Sequence, residues 1–229
     1  MVAVRIVAVI PALNEEGSIG RVVSAVPRDL VAEVIVVNNG STDRTAEVAA
    51  TAGARVVTEP GRGYGAACKA GMDSASDADI LVYLDGDASD QPEELASILR
   101  PLLDGEADLV IGSRLLGRRE AGAMPPHAVI GNWLTARLVR GLYGARITDL
   151  GSFRAIRRAD LVALDMRERT YGWPVEMIVK AAKRGYRLHE VPVSHRRRFG
   201  TSQVAGTLLG SLKAAYCMLC TTFRYAFRD

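Results

Sequence analysis

Continuous runs of apolar residues, most of them closed by turn residues, are the feature that most restricts how this chain can fold. In the first half of the chain they cover residues 4–10, 34–37, 55–58, 80–84 and 109–113. The pattern between them predicts helices over residues 18–26, from the caps at 41–43 to about 51, and over 63–74 and 92–103. Strands that are apolar along their whole length are buried on both faces. We therefore predict an α/β fold with a mostly parallel central sheet and helices on both faces.

The second half of the chain has a less regular pattern. We predict helices over residues 127–142 and 174–183 and strands over 153–157 and 187–193. We predict loops over residues 115–126 and over the basic segment 194–203. The second of these loops is a candidate mobile lid. A long, apolar helical pattern covers residues 204–227. Since no repeat or interdomain linker is evident, we predict one domain over residues 1–203 and a C-terminal amphipathic helical extension over 204–229.

The composition excludes several classes of protein. Hydrophobic residues make up 48% of the 229 positions and the formal net charge is +3, which argues against disorder and against a nucleic-acid-binding domain. The three cysteines, Cys68, Cys217 and Cys220, do not suggest a disulfide framework. Neither a signal peptide nor a run of about 20 apolar residues is evident. We expect a cytoplasmic protein whose C-terminal helix lies at the membrane interface or packs on the domain or on a second subunit.

Polar turns follow three of the predicted strands, at residues 11–16, 38–43 and 85–87. Ligands of parallel α/β sheets bind beyond the carboxyl ends of the strands, so these turns should converge on one site. Two carboxylates that flank a glycine, as in Asp85-Gly86-Asp87, can bind a hard divalent cation and leave positions for phosphate oxygens. The alternative is a solvated turn, because turns favour these residues.

Two other motifs are open to more than one interpretation. Asn14 and Glu15 can bind a nucleobase or ribose, or they can cap the helix that follows. Gly61-Arg62-Gly63-Tyr64-Gly65 lacks the spacing and the position of a dinucleotide-binding fingerprint, and the chain has no phosphate loop that ends in Gly-Lys-Ser/Thr. These glycines more simply allow close packing.

Taken in order, these motifs resemble family 2 glycosyltransferases, in particular the dolichyl-phosphate mannosyltransferase and glucosyltransferase branch. The resemblance covers nearly the whole chain and implies a GT-A fold, a nucleotide-diphospho-sugar donor such as GDP-mannose or UDP-glucose, and Mg2+ or Mn2+ as cofactor. The matching motifs are Pro11-Ala12-Leu13-Asn14-Glu15-Glu16, Val36-Val37-Asn38-Asn39-Gly40-Ser41-Thr42-Asp43, Leu84-Asp85-Gly86-Asp87, Gly112-Ser113-Arg114, Asp149-x-x-Ser152-Phe153-Arg154, Glu176-x-x-x-Lys180, Glu190-Val191-Pro192 and Arg197-x-x-Gly200-x-Ser202.

The resemblance also implies roles for single residues. Asp85 and Asp87 would hold the metal, and the implied catalytic set adds Arg114, Glu176 and Arg197. The implied donor-binding set is Pro11, Ala12, Leu13, Asn14, Glu15, Val37, Asn39, Asp85, Gly86, Asp87, Ser89, Arg114, Lys180 and Arg197. The chain departs from the usual family pattern at Asn38-Asn39, where acidic residues are common, at Ser89 in place of glutamine, and at Gln203 in place of lysine. Residues 124–132 also lack the arginine and serine that mannosyltransferases use on the acceptor phosphate.

The expected reaction is an inverting displacement at the anomeric carbon of a hexose, with polyprenyl phosphate as the acceptor. A phosphate oxygen is already anionic and needs no strong base, whereas a hydroxyl acceptor would need a carboxylate such as Glu176 or Asp149. A soluble enzyme with a small hydroxyl acceptor is the second hypothesis. A nucleotidyltransferase would need a glycine-rich, basic loop after the first strand, and residues 11–16 do not provide one. A non-catalytic nucleotide-binding module would not need the basic second half of the chain.

Overall fold

The computed structural model describes residues 4–200 and 208–226. Within this part of the chain, seven strands form one sheet in the order β3-β2-β1-β4-β6-β5-β7. The strands are β1 (Ile6–Ala12), β2 (Glu33–Asn38), β3 (Arg55–Thr58), β4 (Ile80–Tyr83), β5 (Leu109–Ser113), β6 (Arg154–Arg157) and β7 (Leu188–Pro192). The helices are α1 (Ile19–Ala25), α2 (Thr45–Thr51), α3 (Tyr64–Ser74), α4 (Leu95–Leu103), α5 (Pro126–Tyr143), α6 (Arg158–Ala163), α7 (Trp173–Lys183) and α8 (Leu208–Ala226).

All pairings in the sheet are parallel except those of β6, which runs antiparallel to both β4 and β5. Arg154, the first residue of β6, lies opposite Tyr83, the last residue of β4. The start of β6 therefore meets the carboxyl ends of the parallel strands at one edge. We call this side of the sheet the ligand edge, because it is where ligands of parallel α/β sheets bind.

Both faces of the sheet are covered, which explains why β1, β4 and β5 are buried along almost their whole length. Alternate residues of β1, Ile6, Ala8 and Ile10, pack with α1, α2 and α4 on one face, and Val7 and Val9 pack with α3, α5 and α7 on the other. Strand side chains alternate between faces, so each strand supplies two hydrophobic cores. The predicted α/β class, the mostly parallel sheet and the two helical layers are confirmed.

The structure differs from the prediction in three details. Strand β1 continues through Pro11, where the turn signal predicted its end. Pairing of β1 with β4 stops at Val9, so on that side Pro11 gives up no ladder hydrogen bond. Pro92 begins a short 3-10 turn rather than α4 itself, and α6 has no counterpart in the prediction.

The predicted C-terminal helix is present as α8 over Leu208–Ala226. It packs against α5 and α7, and the Tyr143 hydroxyl donates a hydrogen bond to the Thr222 carbonyl oxygen at 2.5 Å. The flanking residues 201–207 and 227–229, which include part of the predicted lid and of the predicted extension, lie outside the described residues. Among the helices that the structure describes, none has the length and apolar character that crossing a bilayer requires.

Candidate functional site

The loops after β1, β2 and β4 meet at the ligand edge, as the sequence predicts. The first two loops are tied by reciprocal hydrogen bonds. The Asn14 backbone N–H donates to Ser41 Oγ at 3.0 Å, and the Thr42 backbone N–H donates to Asn14 Oδ1 at 2.8 Å. Asn14 adopts φ +56°, a conformation that asparagine tolerates better than most residues. The side chain of Asn14 thus organises the edge.

Asp87 and Asp85 follow the buried end of β4, with Gly86 between them. A Cβ at Gly86 would approach Ile19 Cδ1 to 3.2 Å, so a side chain is poorly accommodated there. Asp87 Oδ1 accepts hydrogen bonds from the backbone N–H and the hydroxyl of Ser89, at 2.9 and 2.6 Å. Ser89 therefore fixes the orientation of the Asp87 carboxylate through Oδ1 and leaves Oδ2 for other partners.

A third carboxylate, Asp90, joins the pair, and we call Asp85, Asp87 and Asp90 the acidic cluster. Asp90 Oδ2 accepts hydrogen bonds from the Asp85 N–H at 3.1 Å and from the Ser152 hydroxyl at 3.3 Å. Burial, together with the nearby Asp90 and Asp87 charges, raises the pKa of Asp85 to about 7. The cluster therefore concentrates negative charge where little solvent can screen it.

Such a cluster suits a divalent cation, which favours carboxylate oxygens and relieves their mutual repulsion. Across the part of the chain that the structure describes, no three His, Cys, Asp or Glu residues converge as a complete metal-binding set. An ion held by Asp85 and Asp87 therefore needs further oxygens from water or from a ligand. This is the open coordination expected where a metal meets a diphosphate.

Residues 194–199 fold over the acidic cluster, and we call them the strap. The Arg196 N–H donates to the Ser89 carbonyl oxygen at 2.9 Å, and the Phe199 N–H donates to the Asp87 carbonyl oxygen at 2.8 Å. Arg198 lies 3.4 Å from Asp87 Oδ2 through Nη1 and donates to Glu15 Oε1 at 2.8 Å through Nη2. The strap and the loop after β4 share the lining of a cavity of about 170 Å3.

The sequence interpretation missed Arg198 and named its neighbour Arg197. Arg197 instead donates from Nε to the Ala121 carbonyl oxygen at 2.6 Å, with Glu120 close by. Three consecutive arginines gave no signal as to which would point inward.

Asp90 and His195 also went unnoticed in the sequence. Asp90 Oδ1 and His195 Nδ1 are buried 3.8 Å apart, and neither atom has a hydrogen-bond partner among the described residues. A bridging water would satisfy both atoms.

The remaining residues of the predicted nucleotide pocket occupy two kinds of position. Ala12 and Val37 are buried in the two cores, and Pro11 and Leu13 are partly exposed at the ligand edge. Asn39 is buried, and its side-chain amide accepts from the Gly63 N–H at 2.8 Å and donates to the Gly61 carbonyl oxygen at 2.8 Å. Asn39 thus holds the segment before α3 against the loop after β2.

Arg114, which directly follows β5, forms a bidentate ion pair with Asp149. The Asp149 side chain is fully buried. Nη2 lies 2.7 Å from Asp149 Oδ1 and Nε lies 2.9 Å from Oδ2. Burial opposes ionisation of Asp149, yet the pair with Arg114 holds the pKa of its carboxyl below the usual value. Close by, the buried Arg154 guanidinium donates to the carbonyl oxygens of Leu150, Gly151 and Pro174, which fixes the loop before β6.

Glu176 and Lys180 interact with each other and with α8. Lys180 Nζ lies 2.8 Å from Glu176 Oε1, and the Tyr225 hydroxyl donates to the same oxygen at 2.5 Å. The backbone N–H groups of Arg167 and Glu168 donate to the same carboxylate. Burial acts to raise the pKa of Glu176, but these hydrogen bonds lower it below its usual value. The structure therefore uses this pair to join α7, α8 and the loop between α6 and α7.

Comparison with known proteins places this geometry in a family. Residues 7–164 match the family model described as Glycosyl transferase family 2. An uncharacterized glycosyltransferase of Mycobacterium tuberculosis is 39% identical over 208 residues, which are 90% of this chain and 92% of the relative. A dolichyl-phosphate hexose transferase of Haloferax volcanii is 36% identical over 212 residues, which are 90% of each chain.

Solved structures support the same assignment. Glucosyl-3-phosphoglycerate synthase from Mycobacterium tuberculosis, in complex with Mn2+, UDP and glucosyl-3-phosphoglycerate, superposes with a TM-score of 0.78 at 26% identity. The superposition covers 98% of this chain and 80% of that enzyme. The sheet and its two helical layers are accordingly a GT-A fold.

Proposed function

This chain belongs to glycosyltransferase family 2, and from that premise we propose that it transfers a hexose from a nucleotide-diphospho-sugar to a polyprenyl phosphate of the dolichyl type, with inversion at the anomeric carbon. GDP-mannose and UDP-glucose are the two donors to test first. The relative that is a dolichyl-phosphate hexose transferase, matched over 90% of each chain, supports a lipid phosphate as the acceptor.

We infer that Asp85 and Asp87 hold Mg2+ or Mn2+. The neighbour with Mn2+ and UDP, the clustered carboxylates and the raised pKa of Asp85 support this site. When bound, the ion neutralises charge on the departing diphosphate. The chain itself orients Asp87 by hydrogen bonds from Ser89 to Oδ1 and brings the Arg198 guanidinium to Oδ2, so positive charge is available at the leaving group's position.

The observation that carries the acceptor is the state of Asp149 and Glu176, the two carboxylates that the sequence indicates as candidate bases for a hydroxyl acceptor. Asp149 is bound by Arg114, and Glu176 accepts hydrogen bonds from Lys180, Tyr225 and two backbone N–H groups. Both carry a lowered pKa and are poor proton acceptors. A hydroxyl acceptor needs such a base, whereas a phosphate monoester supplies its own anionic oxygen. These two ion pairs therefore favour the phosphate acceptor.

A second candidate is transfer to a small phosphorylated acceptor in solution. It is favoured by the solved neighbour, whose product is glucosyl-3-phosphoglycerate. Both candidates use an anionic acceptor, and they differ in what attaches to the phosphate and in which oxygen attacks. The donor half of the proposal is common to both.

The test is a matrix of GDP- and UDP-sugars against two acceptors, a short-chain polyprenyl phosphate in detergent and 3-phosphoglycerate, with Mn2+, Mg2+ or excess EDTA. We expect a hexosyl-phosphoprenol product, formed only with a divalent ion. Product from 3-phosphoglycerate alone would replace the lipid acceptor with the small one. Full turnover in excess EDTA would exclude the metal.

The variant Asp87→Ala examines the ion site directly. Loss of a charge-stabilising group at a reacting centre typically reduces kcat by about 100-fold to 1000-fold, and we expect a loss of at least that size. Asp104→Ala, at an exposed position at the end of α4, is the matched control and should retain full activity. An active Asp87→Ala enzyme of unchanged stability contradicts the assignment.

A further inference from the structure

Helix α5 carries large apolar side chains on its solvent-exposed face, which covering the core does not require. Its inner face, buried against the sheet, includes the polar residues Asn132 and Thr135. Its outer face carries Ile130, Trp133 and Leu134, which are 64%, 53% and 43% exposed. Residues three and four apart share one helix face, so these three side chains form one patch. An exposed apolar patch of this kind marks a site of contact with another protein or with a membrane.

The charge on α5 is of one sign. Arg137 and Arg140 continue the same face by one and two turns, and the Arg137 guanidinium lies 5.7 Å from the Trp133 ring. Although the chain contains 26 acidic residues, none falls within α5. We call Ile130, Trp133, Leu134, Arg137 and Arg140 the α5 outer face.

The adjoining helix α8 has the same character. None of its residues is acidic, and Tyr216 and Phe223, which are seven positions apart, are 70% and 43% exposed. Arg224 is 3.7 Å from Glu168, so part of the positive charge of α8 is compensated within the chain. Two packed helices, α5 and α8, thus carry no acidic residue of their own, and both expose aromatic side chains.

We propose that the α5 outer face docks this protein onto an anionic lipid bilayer, with the helix lying in the plane of the interface. Tryptophan and aliphatic side chains enter the boundary between headgroups and acyl chains, and neighbouring arginines pair with lipid phosphates. Each arginine near an anionic surface strengthens binding about five-fold. This inference goes beyond the proposed acceptor, since it concerns the surface on which the enzyme sits rather than the group it modifies.

A second copy of the chain fits this face less well. A two-fold dimer puts each patch against itself, so Arg137 and Arg140 of both copies would lie in one interface and repel one another. The helix has no acidic residue to offset that repulsion. An anionic bilayer satisfies the apolar and the cationic side chains together.

The experiment measures binding to vesicles of pure phosphatidylcholine and of phosphatidylcholine with phosphatidylglycerol, without donor or polyprenyl phosphate. The chain contains two tryptophans: Trp133 is exposed and Trp173 is buried, so a blue shift of emission on binding reports Trp133. We expect binding to the anionic vesicles with a blue shift, and weaker binding in high salt. The shift should be absent in Trp133→Phe.

Three variants complete the test. Ile130→Ser with Trp133→Ser should reduce vesicle binding by at least about ten-fold, and Arg137→Gln with Arg140→Gln by about 25-fold on anionic vesicles only. Leu103→Ser, at a 51% exposed residue of α4 on the opposite face of the sheet, should bind as the wild type does. Light scattering on the same samples reports whether each variant is a monomer or a dimer.

Two outcomes overturn the proposal. One is equal binding by all variants. The other is a dimer that the Ile130→Ser, Trp133→Ser variant disrupts while the wild type ignores vesicles. Turnover on a detergent-solubilised acceptor is assayed separately, so a failed acceptor and a failed docking surface are distinguishable.

Discussion

The Arg198 guanidinium lies 3.4 Å from Asp87, between that carboxylate and Glu15. A side-chain cation therefore stands next to an oxygen that we assign to a metal ion. In this arrangement, Arg198 and an incoming ion would compete for the charge of Asp87. A diphosphate bound as we propose would give the same guanidinium a new anionic partner.

The first prediction follows from that competition. Arg198→Gln should bind Mn2+ about five-fold more tightly than the wild type when no nucleotide is present, because a partly buried ion pair is worth about 1 kcal/mol. Titration calorimetry measures this affinity. In the presence of the nucleoside diphosphate the order should reverse, since the variant lacks a cation at the phosphates.

Arg197→Gln is the control for this prediction, since Arg197 contacts Glu120 and Ala121 and not Asp87. It should leave Mn2+ affinity unchanged. Equal effects of the two substitutions would mean that the gain reflects net charge alone.

The second prediction concerns the buried pair of Arg114 and Asp149. Asp149→Asn removes the charge that balances a guanidinium whose side chain is only 18% exposed, and it should lower the free energy of unfolding by about 3 kcal/mol. Urea denaturation gives this value. The comparison variant Asp104→Asn breaks an exposed pair with Arg100 and should cost less than about 1 kcal/mol. Comparable losses of unfolding free energy in the two variants would show that the buried pair stabilises the fold no more than the exposed one.

The third prediction separates a structural from a catalytic Glu176. Glu176→Gln should lose about 1 to 3 kcal/mol of stability at neutral pH and keep its turnover per folded molecule. The pKa of Glu176 is lowered in the folded protein from an ordinary value near 4.5, so its stabilising contribution is complete above that pH. It is lost as the pH falls through the lower folded value, and the wild type and variant should then converge.

Unfolding measured from pH 3 to pH 7 follows that convergence. Tyr225→Phe, which removes one donor to Glu176, should show a smaller loss of about 1 kcal/mol. A folded Glu176→Gln enzyme without activity would restore Glu176 as a general base and reopen the hydroxyl acceptor.

The fourth prediction uses two helical glycines. A Cβ at Gly65 would overlap the Glu168 carbonyl oxygen, where the loop before α7 crosses the first turn of α3. Gly65→Ala should therefore destabilise the fold by more than about 2 kcal/mol. Among the described residues, a Cβ at Gly141 in α5 would meet no atom within 4 Å beyond its own helix backbone, so Gly141→Ala should raise stability by about 0.5 to 1 kcal/mol. Thermal melting that shows the same sign for both would contradict this account.

The elements of the first half could be predicted from the sequence because each is encoded locally. The strands at residues 55–58 and 109–113 were placed within their observed bounds, and the turns at 11–16, 38–43 and 85–87 converge as expected. A buried apolar run and the turn residues after it are adjacent in the chain, and parallel order brings such turns to one edge.

The contacts that complete the site are not local. Arg198 meets Glu15 across 183 positions, and Arg114 meets Asp149 across 35. Nothing in the run Arg196-Arg197-Arg198 indicates which side chain points inward, because that depends on how the strap docks on the loop after β4. The direction of β6 could not be read either, since the run Arg154-Ala155-Ile156-Arg157 has the same hydrophobic pattern in either orientation.

That reversed strand has a consequence for how enzymes of this architecture can diversify. The segment between β5 and β6 departs from the ligand edge and returns to it, because β6 starts beside the end of β4. Residues 114–153 thus form an excursion with both of its anchors on the same rim. Replacing the excursion would change the side of the ligand edge that carries Arg114 and Asp149, and it would leave the strand order and the loops after β1, β2 and β4 as they are.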